Sequence, residues 1–386
     1  MRTSMAQRHR CVHPQKDACV CFPGANVRSL HRGPCIQTRE GSPEMGYRTA
    51  FLALGVLVLA ITGCAQRSAS AKWQAVLPWG AAVHAEEVSG RTFGPSAFAL
   101  TDNTIVIADS FARHLLVWRR SAGSWIGPRV IGLPSTVSIV TAVAVTADGT
   151  IVAADDRLEL WSFATLGQAT VMGSLARAGQ FVSVTSLVPY ATGALADVLQ
   201  VGPAETVRAL YALPIGGPPY VVKRTIIATP GEPARHPAGP PWLLLPAGVE
   251  RGLAPAGNED AWVLGRTARG QPALIRMAAP ETIGHPIPVP ACVRCDFLGV
   301  ARGLIVFLSM PSTPEAAVEA FERHGRIAWR LPLPDSQGPQ LGAYAVMAAN
   351  GALLTMTSTP TALTLRWYAP GVAQPAGRQR GNRASR

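Results

Sequence analysis

Few side chains in this 386-residue chain are spaced for chemistry. Cys292-Val293-Arg294-Cys295 sets two thiols in a CxxC spacing, which suits a disulfide, a redox dithiol or half of a zinc site. A redox dithiol needs a helix N-terminus after a βαβ-type strand to lower a thiol pKa, and no such pattern surrounds the pair. Pro288 and Pro290 put it on a loop instead. Zinc needs two further ligands, and no second CxxC or HxxxH occurs beyond Cys64. In an oxidising compartment a disulfide between Cys292 and Cys295 is therefore the expectation.

Asp102, Asp109, Asp148 and Asp155 recur at matching places along the chain. Carboxylates repeated in this way suggest calcium binding or acid–base work, but Asp at a strand end also caps a turn by accepting a backbone N–H two residues on. Capping is the expectation here. His84, His114, His236, His285 and His324 have no recognisable partner in the sequence, and neither GxSxG nor a phosphate-cradling glycine loop is present. No catalytic residue and no protein metal ligand is assigned on this basis.

One segment carries a sharper signal. From Met45 the chain reads MGYRTAFLALGVLVLAITGC, with Arg48 as a short basic start and 13 uncharged residues from Thr49 to Ile61. That run is short of the ~20 residues of a membrane span and fits an export signal. Its end, Ile61-Thr62-Gly63-Cys64, resembles the lipobox of bacterial lipoproteins. The resemblance implies cleavage between Gly63 and Cys64, lipidation of Cys64, and display of the rest of the chain on the extracytoplasmic face of a cell membrane. Residues 1–44 precede this signal, with Cys11, Cys19, Cys21 and Cys35 irregularly spaced among His9, His13 and His31. A start codon assigned too far upstream accounts for them better than a zinc-binding tail.

The formal charge of +12 invites a nucleic-acid reading, which its distribution weakens. Residues 1–63 contribute five of that excess and Arg378, Arg380, Arg383 and Arg386 four, so the remainder sits near +3. Its arginines are scattered, without the aromatic-interleaved basic stripe that strand or duplex binders need. No nucleic-acid partner is expected.

The remainder is built from short apolar runs broken by Gly, Pro, Asn and Asp, the punctuation of an all-β domain. Asp102-Asn103-Thr104-Ile105-Val106-Ile107-Ala108-Asp109 aligns without gaps on Asp148-Gly149-Thr150-Ile151-Val152-Ala153-Ala154-Asp155, 46 residues on. Each follows an apolar strand (Ala97 to Leu100; Thr141 to Val145) and precedes a run ending in Trp118 or Trp161, which are expected at equivalent positions and are read as packing residues. Fainter copies follow, marked by Val198, Trp262, Ile305 and Leu353. The steps of 46, 47, 64, 43 and 48 residues fit four-stranded blades of about 40–50 residues, with an insertion in the long step. Gly216 to Gly248, rich in proline, is the expected insertion, lying as a loop over one rim.

The two clear units, with Gly94-Pro95-Ser96-Ala97-Phe98-Ala99 leading to Ala108-Asp109, resemble repeats of six-bladed NHL and gluconolactonase-like propellers. Expected, then, are a linker at 64–71, a single all-β propeller over 72–371 with six blades and seven as the alternative, and an Arg-rich disordered tail at 372–386. Lys72 to Leu77 is expected to pair into the last blade and close the ring, removing the open sheet edges. The expected function is a membrane-tethered binding or scaffold module for an envelope protein or a small-molecule ligand, without a cofactor. The alternative is a metal-dependent hydrolase, lactonase or lyase of the six-bladed type. For it the resemblance implies calcium held by Glu, Asn and Asp from several blades, a set the sequence does not single out. A third reading has the cationic tail hold a passive surface protein to anionic polymer or lipid.

Overall fold

A computed structural model describes residues 70–88, 91–164, 167–229, 240–257, 259–277, 284–289, 294–309, 315–339 and 345–371. The expected signal segment, Gly63, Cys64 and the Arg-rich tail lie outside these residues. Among the described residues no helix is long and apolar enough to cross a membrane.

The chain opens with β1 (Trp73–Pro78), then a small hairpin of β2 (Glu86–Val88) and β3 (Arg91–Phe93). Blade 1 comprises β4 (Ala97–Leu100), β5 (Thr104–Asp109), β6 (His114–Ser121) and β7 (Ser124–Gly132). Blade 2 follows as β8 (Val140–Val145), β9 (Ile151–Asp155), β10 (Glu159–Phe163) and β11 (Ala169–Ser174), and blade 3 as β12 (Phe181–Tyr190), β13 (Gly193–Val201), β14 (Thr206–Pro214) and β15 (Tyr220–Ala228). After a 3-10 turn at Pro241–Leu243 and β16 (Val249–Arg251) comes blade 4, made of β17 (Leu253–Pro255), β18 (Ala261–Arg266), β19 (Pro272–Met277) and β20 (Gly284–Pro286). Blade 5 has β21 (Cys295–Ala301), β22 (Leu304–Ser309), β23 (Ala317–Phe321) and β24 (Ile327–Pro332). Blade 6 has β25 (Ala345–Met347), β26 (Leu353–Ser358) and β27 (Ala362–Tyr368), and its fourth strand is β1.

The inner strands form a ring in which β4, β8, β12, β17, β21 and β25 each touch the next, and β25 returns to β4. This is a six-bladed β-propeller, and the seven-bladed alternative is set aside. The long third step needs no seventh blade. It holds the outer strand of blade 3, the 3-10 turn and β16, which leaves its own blade to pair in parallel with β21.

A blade is covered on both sides, so its inner strands read as continuous apolar runs rather than as an alternation. β5 is buried at every position. Alternate residues nevertheless serve different neighbours: Ile105 and Ile107 pack toward blade 6, Val106 and Ala108 toward blade 2. The same division repeats around the ring and yields six clusters of buried apolar side chains, one per interface. Close to the axis the blades converge, and the inner strands carry small residues there, among them Ala97, Ala99, Ala142, Ala144, Ala254 and Ala345.

Two sequence expectations change. The stretch from Gly216 to Gly248 is not one rim loop: Tyr220–Ala228 forms β15, because its run of Val, Thr and Ile outweighs the flanking prolines at an outer edge that needs few N–H donors. Its later part packs directly on blade 4, where a Cβ added at Gly265 would fall 1.5 Å from the Trp242 carbonyl oxygen. Second, Trp118 and Trp161 are not equivalent. Trp118 pairs with Ile105 and Trp161 with Ala153, two places apart in the repeat, because Trp118 is the fifth residue of β6 and Trp161 the third of β10. Both are buried and face the preceding blade, so their packing role stands.

Closure is sealed by tryptophans. Trp73 on β1 pairs with Trp367 on β27 and lies 6.1 Å from both Trp118 and Trp125, while Trp125 and Trp367 meet edge-on at 5.7 Å. Trp367→Ala should cost about 3–5 kcal/mol, as for other buried tryptophans, and should lower the urea midpoint accordingly. A loss below about 1 kcal/mol would show that closure does not depend on this cluster.

Candidate functional site

The axis of the ring is a narrow channel enclosing a cavity of about 110 Å3, lined by the inner strands of all six blades. Its walls are mostly apolar, with Ala97, Ala144, Leu187, Leu253, Leu298 and Met347 among them. Among the described residues two charged side chains line it, Arg251 from β16 and Asp296 from β21. Their proximity follows from the parallel pairing of those strands, which sets Arg251 beside Asp296, with Nε 3.8 Å from Oδ2. Asp296 is 7% exposed, its Oδ1 has no hydrogen-bond partner, and the Ser186 hydroxyl on another wall has none either. Burial holds the Asp296 carboxyl above the ordinary carboxylate range, against a downward pull from the Arg251 guanidinium. A buried carboxyl of raised pKa and an unpartnered hydroxyl can bind a small polar group or exchange a proton with it.

The carboxylates singled out in the sequence do not line this channel wall. Asp109 and Asp155 are fully buried and cap the turns that follow their strands. Asp155 accepts N–H bonds from Arg157 at 3.0 Å, Glu159 at 2.9 Å and Ser138 at 3.2 Å. Asp109 accepts from His84 N at 2.8 Å and Ala112 N at 3.2 Å. Asp148 accepts from Thr150 N at 3.1 Å and from the Thr146 hydroxyl, and the latter bond above all holds its carboxyl below the usual range. At the matching turn of blade 1 the Thr101 hydroxyl, not Asp102, accepts the N–H of Thr104, at 3.0 Å.

Cys295 opens β21 and is fully buried rather than on a loop, because the strand begins directly after Arg294 and packs into the interface between blades 4 and 5. It is disulfide-bonded. Cys292, the partner expected for it, lies outside the described residues, as does His236. His324 pairs with Glu322 at 2.7 Å on the surface. His84 and His114, which have no evident partner in the sequence, both face Asp109, at 3.6 and 3.8 Å from Oδ2. Among the described residues no three His, Cys, Asp or Glu side chains stand ready-made for a metal ion.

A second cavity of about 440 Å3 lies between blade 3 and the inserted segment, walled by Leu199, Ile227, Leu243 and Leu245. At its base Arg208 makes a two-armed bond to Asp197, Nε to Oδ1 at 2.8 Å and a terminal nitrogen to Oδ2 at 2.6 Å, and also donates to the Leu243 carbonyl. The guanidinium thereby ties the insertion to the blade.

No protein-family model matches the chain. No curated protein matches it either. Solved structures do: a gluconolactonase from Xanthomonas campestris at 17% identity, with 78% of this chain and 99% of that one covered and a TM-score of 0.42. A virginiamycin B lyase from Staphylococcus aureus is 12% identical over 71% of this chain and 80% of its own, with a TM-score of 0.36. The WD40 propeller domain of Doa1 is 10% identical over 79% and 99%, with a TM-score of 0.40. Likenesses this distant do not bear on activity.

Because the folded pKa of Asp296 lies above its unfolded value, its contribution to stability is complete below the ordinary carboxylate range and is lost as pH rises through the folded pKa. Asp296→Asn should therefore raise the urea midpoint at pH 8 and leave it nearly unchanged at pH 4. Parallel curves for the two proteins across that range would contradict the assignment. Asp155→Ala, which removes the acceptor of three part-buried N–H donors, should cost about 1–3 kcal/mol by the same measurement.

Proposed function

We propose that this chain is a lipid-anchored, extracytoplasmic propeller that binds an envelope partner through its blade surfaces, without a chemical step. The observation that carries the reading is the composition of the axis. Its described wall offers one carboxylate, Asp296, with Arg251 beside it, where calcium takes about six to eight oxygen ligands. The outer surface offers more. Phe181 is 67% exposed and Tyr220 57%, and Val201, Val221 and Ile227 of the same blade are also exposed. Aromatic side chains of this kind are favoured anchors in protein interfaces. Lipidation at Cys64, after cleavage behind Gly63, rests on the lipobox-like sequence and would place the propeller at the membrane surface. The envelope partner is inferred from that location.

A second reading has one observation behind it. A buried carboxyl of raised pKa with an unpartnered oxygen suits acid–base action on a small molecule in the channel, as a hydrolase, lactonase or lyase, with calcium only if further ligands converge there.

Mass spectrometry of the mature N-terminus tests the anchor: a diacylglyceryl-cysteine at Cys64 is expected, and Cys64→Ser should move the protein from the membrane to the soluble fraction. An unmodified cytosolic product would overturn the reading. Co-purification tests the binding role. A partner recovered with the wild type and lost with Phe181→Ser and Tyr220→Ser supports it, whereas turnover of a lactone or sugar substrate abolished by Asp296→Asn would favour the second reading.

A further inference from the structure

The interface between blades 3 and 4 is packed along only part of its length. Alternate side chains of a strand share a face, so on β13 the residues turned toward blade 4 are Leu195, Asp197 and Leu199 in order. On β14 the same face carries Leu210, paired across from Asp197, and Arg208, paired across from Leu199. Leu195 and Leu210 enter the apolar cluster shared with blade 4. At the Asp197 and Arg208 pair that cluster stops, and beyond it the two blades are held apart by the inserted segment. There Leu199, Ile227 of β15 and Leu244 of the insertion line the cavity of about 440 Å3. Among the described residues none of these three belongs to any of the six apolar clusters. Their apolar surface is turned to a cavity instead of a neighbouring blade.

The charges around that cavity do not all cancel. Arg208, 4% exposed, is neutralised by Asp197, and its printed partners Asp197 and Leu243 account for three of the five guanidinium N–H groups. Glu250 pairs with Arg294 at 2.8 Å. Arg266, half-buried, donates Nε to the Leu245 carbonyl at 3.2 Å and has no ion pair among the described residues. The two guanidinium groups therefore hold carbonyls two residues apart on the same turn, and the wall they form is left with the positive charge of Arg266. Ile227, 41% exposed, and Glu250, also exposed, open the cavity to solvent. Ligand pockets commonly span about 300–1,000 Å3, with apolar walls and a few fixed polar groups that orient the ligand.

We propose that this cavity binds a small amphipathic monocarboxylate, with its apolar body against Leu199, Ile227 and Leu244 and its carboxylate on the Arg266 guanidinium. The planar fork of an arginine matches a carboxylate with two parallel N–H bonds, and partial burial strengthens that contact over one made in open water. Arg208 is already committed to Asp197 and acts as a positioning residue: it fixes the turn whose carbonyls hold the wall in place. The site is separate from the channel and does not rest on the function proposed above.

The test uses the full chain carrying Cys64→Ser, prepared without detergent so that no other alkyl chain competes, and calorimetric titration with decanoate, decanol and decylamine below their aggregation limits. One decanoate should bind saturably, with decanol at least about tenfold weaker, as expected for loss of a charged hydrogen-bond partner, and decylamine weaker still. Arg266→Gln should bring decanoate down to the affinity of decanol and leave decanol unchanged, a split that a general loss of structure would not produce. Leu244→Trp, which fills the cavity, should weaken both. No saturable binding of decanoate, equal affinity for the three compounds, or both variants binding as the parent does, which would mark an adventitious additive only, would overturn the proposal.

Discussion

Everything in this molecule depends on bringing the first strand back to the last. A run of separate four-stranded meanders has two exposed edges and two uncovered faces, and both invite association with other chains. Here β1 supplies the outer strand of blade 6, in register from Trp73 with Trp367 to Pro78 with Ala362. That pairing turns five interfaces into six, because blade 6 can bury its face against blade 1 only when the ring is complete. The tryptophans at that seam fill the space where the chain's two ends meet, and Arg120 lies over the Trp367 ring at 4.7 Å, covering the outer side.

Closure in turn determines the axis. Six blades that converge leave little room at the centre, so the inner strands are rich in alanine and the channel is small and mostly apolar. Hydroxyls such as that of Ser186 reach it from the regular blades, whereas Arg251 reaches it where the chain departs from the repeat. The departure is the segment after blade 3, which ties itself to that blade through Arg208, lies against Gly265, and sends β16 across to blade 5. Arg251 is thereby placed beside Asp296, whose desolvation dominates its titration. Among the described residues of the central cavity, this charged pair is a consequence of the insertion meeting blade 5.

Repetition was a good guide to structure and a poor one to chemistry. Asp109 and Asp155 are legible as capping residues because the same local turn recurs and an acidic side chain at a strand end has nearby N–H groups to accept. Asp296 has no repeat counterpart and no local motif, and its environment is made by β16, which ends 45 residues earlier in sequence, at Arg251. His84 and His114 are 30 residues apart and look unrelated until the segment after β1 is laid against the start of β6. Trp118 and Trp161 illustrate the limit within the repeat itself: both end an apolar run, yet they sit two places apart along their strands and meet different cross-strand partners.

The amino-acid sequence by itself determined the all-β class, the blade period, the strands of the first two units and the pairing of the opening segment into the last blade. These follow from local patterns, namely apolar runs of strand length, turn residues between them and a constant spacing, none of which needs distant contacts to be read. The tertiary structure decided the blade count at six, the strand inside the proline-rich insertion, the buried Arg251–Asp296 pair and the meeting of two histidines on one carboxylate. Each of these depends on which segments the closed ring brings side by side, and side chains from separate blades carry no mark in the sequence of the neighbour they will meet.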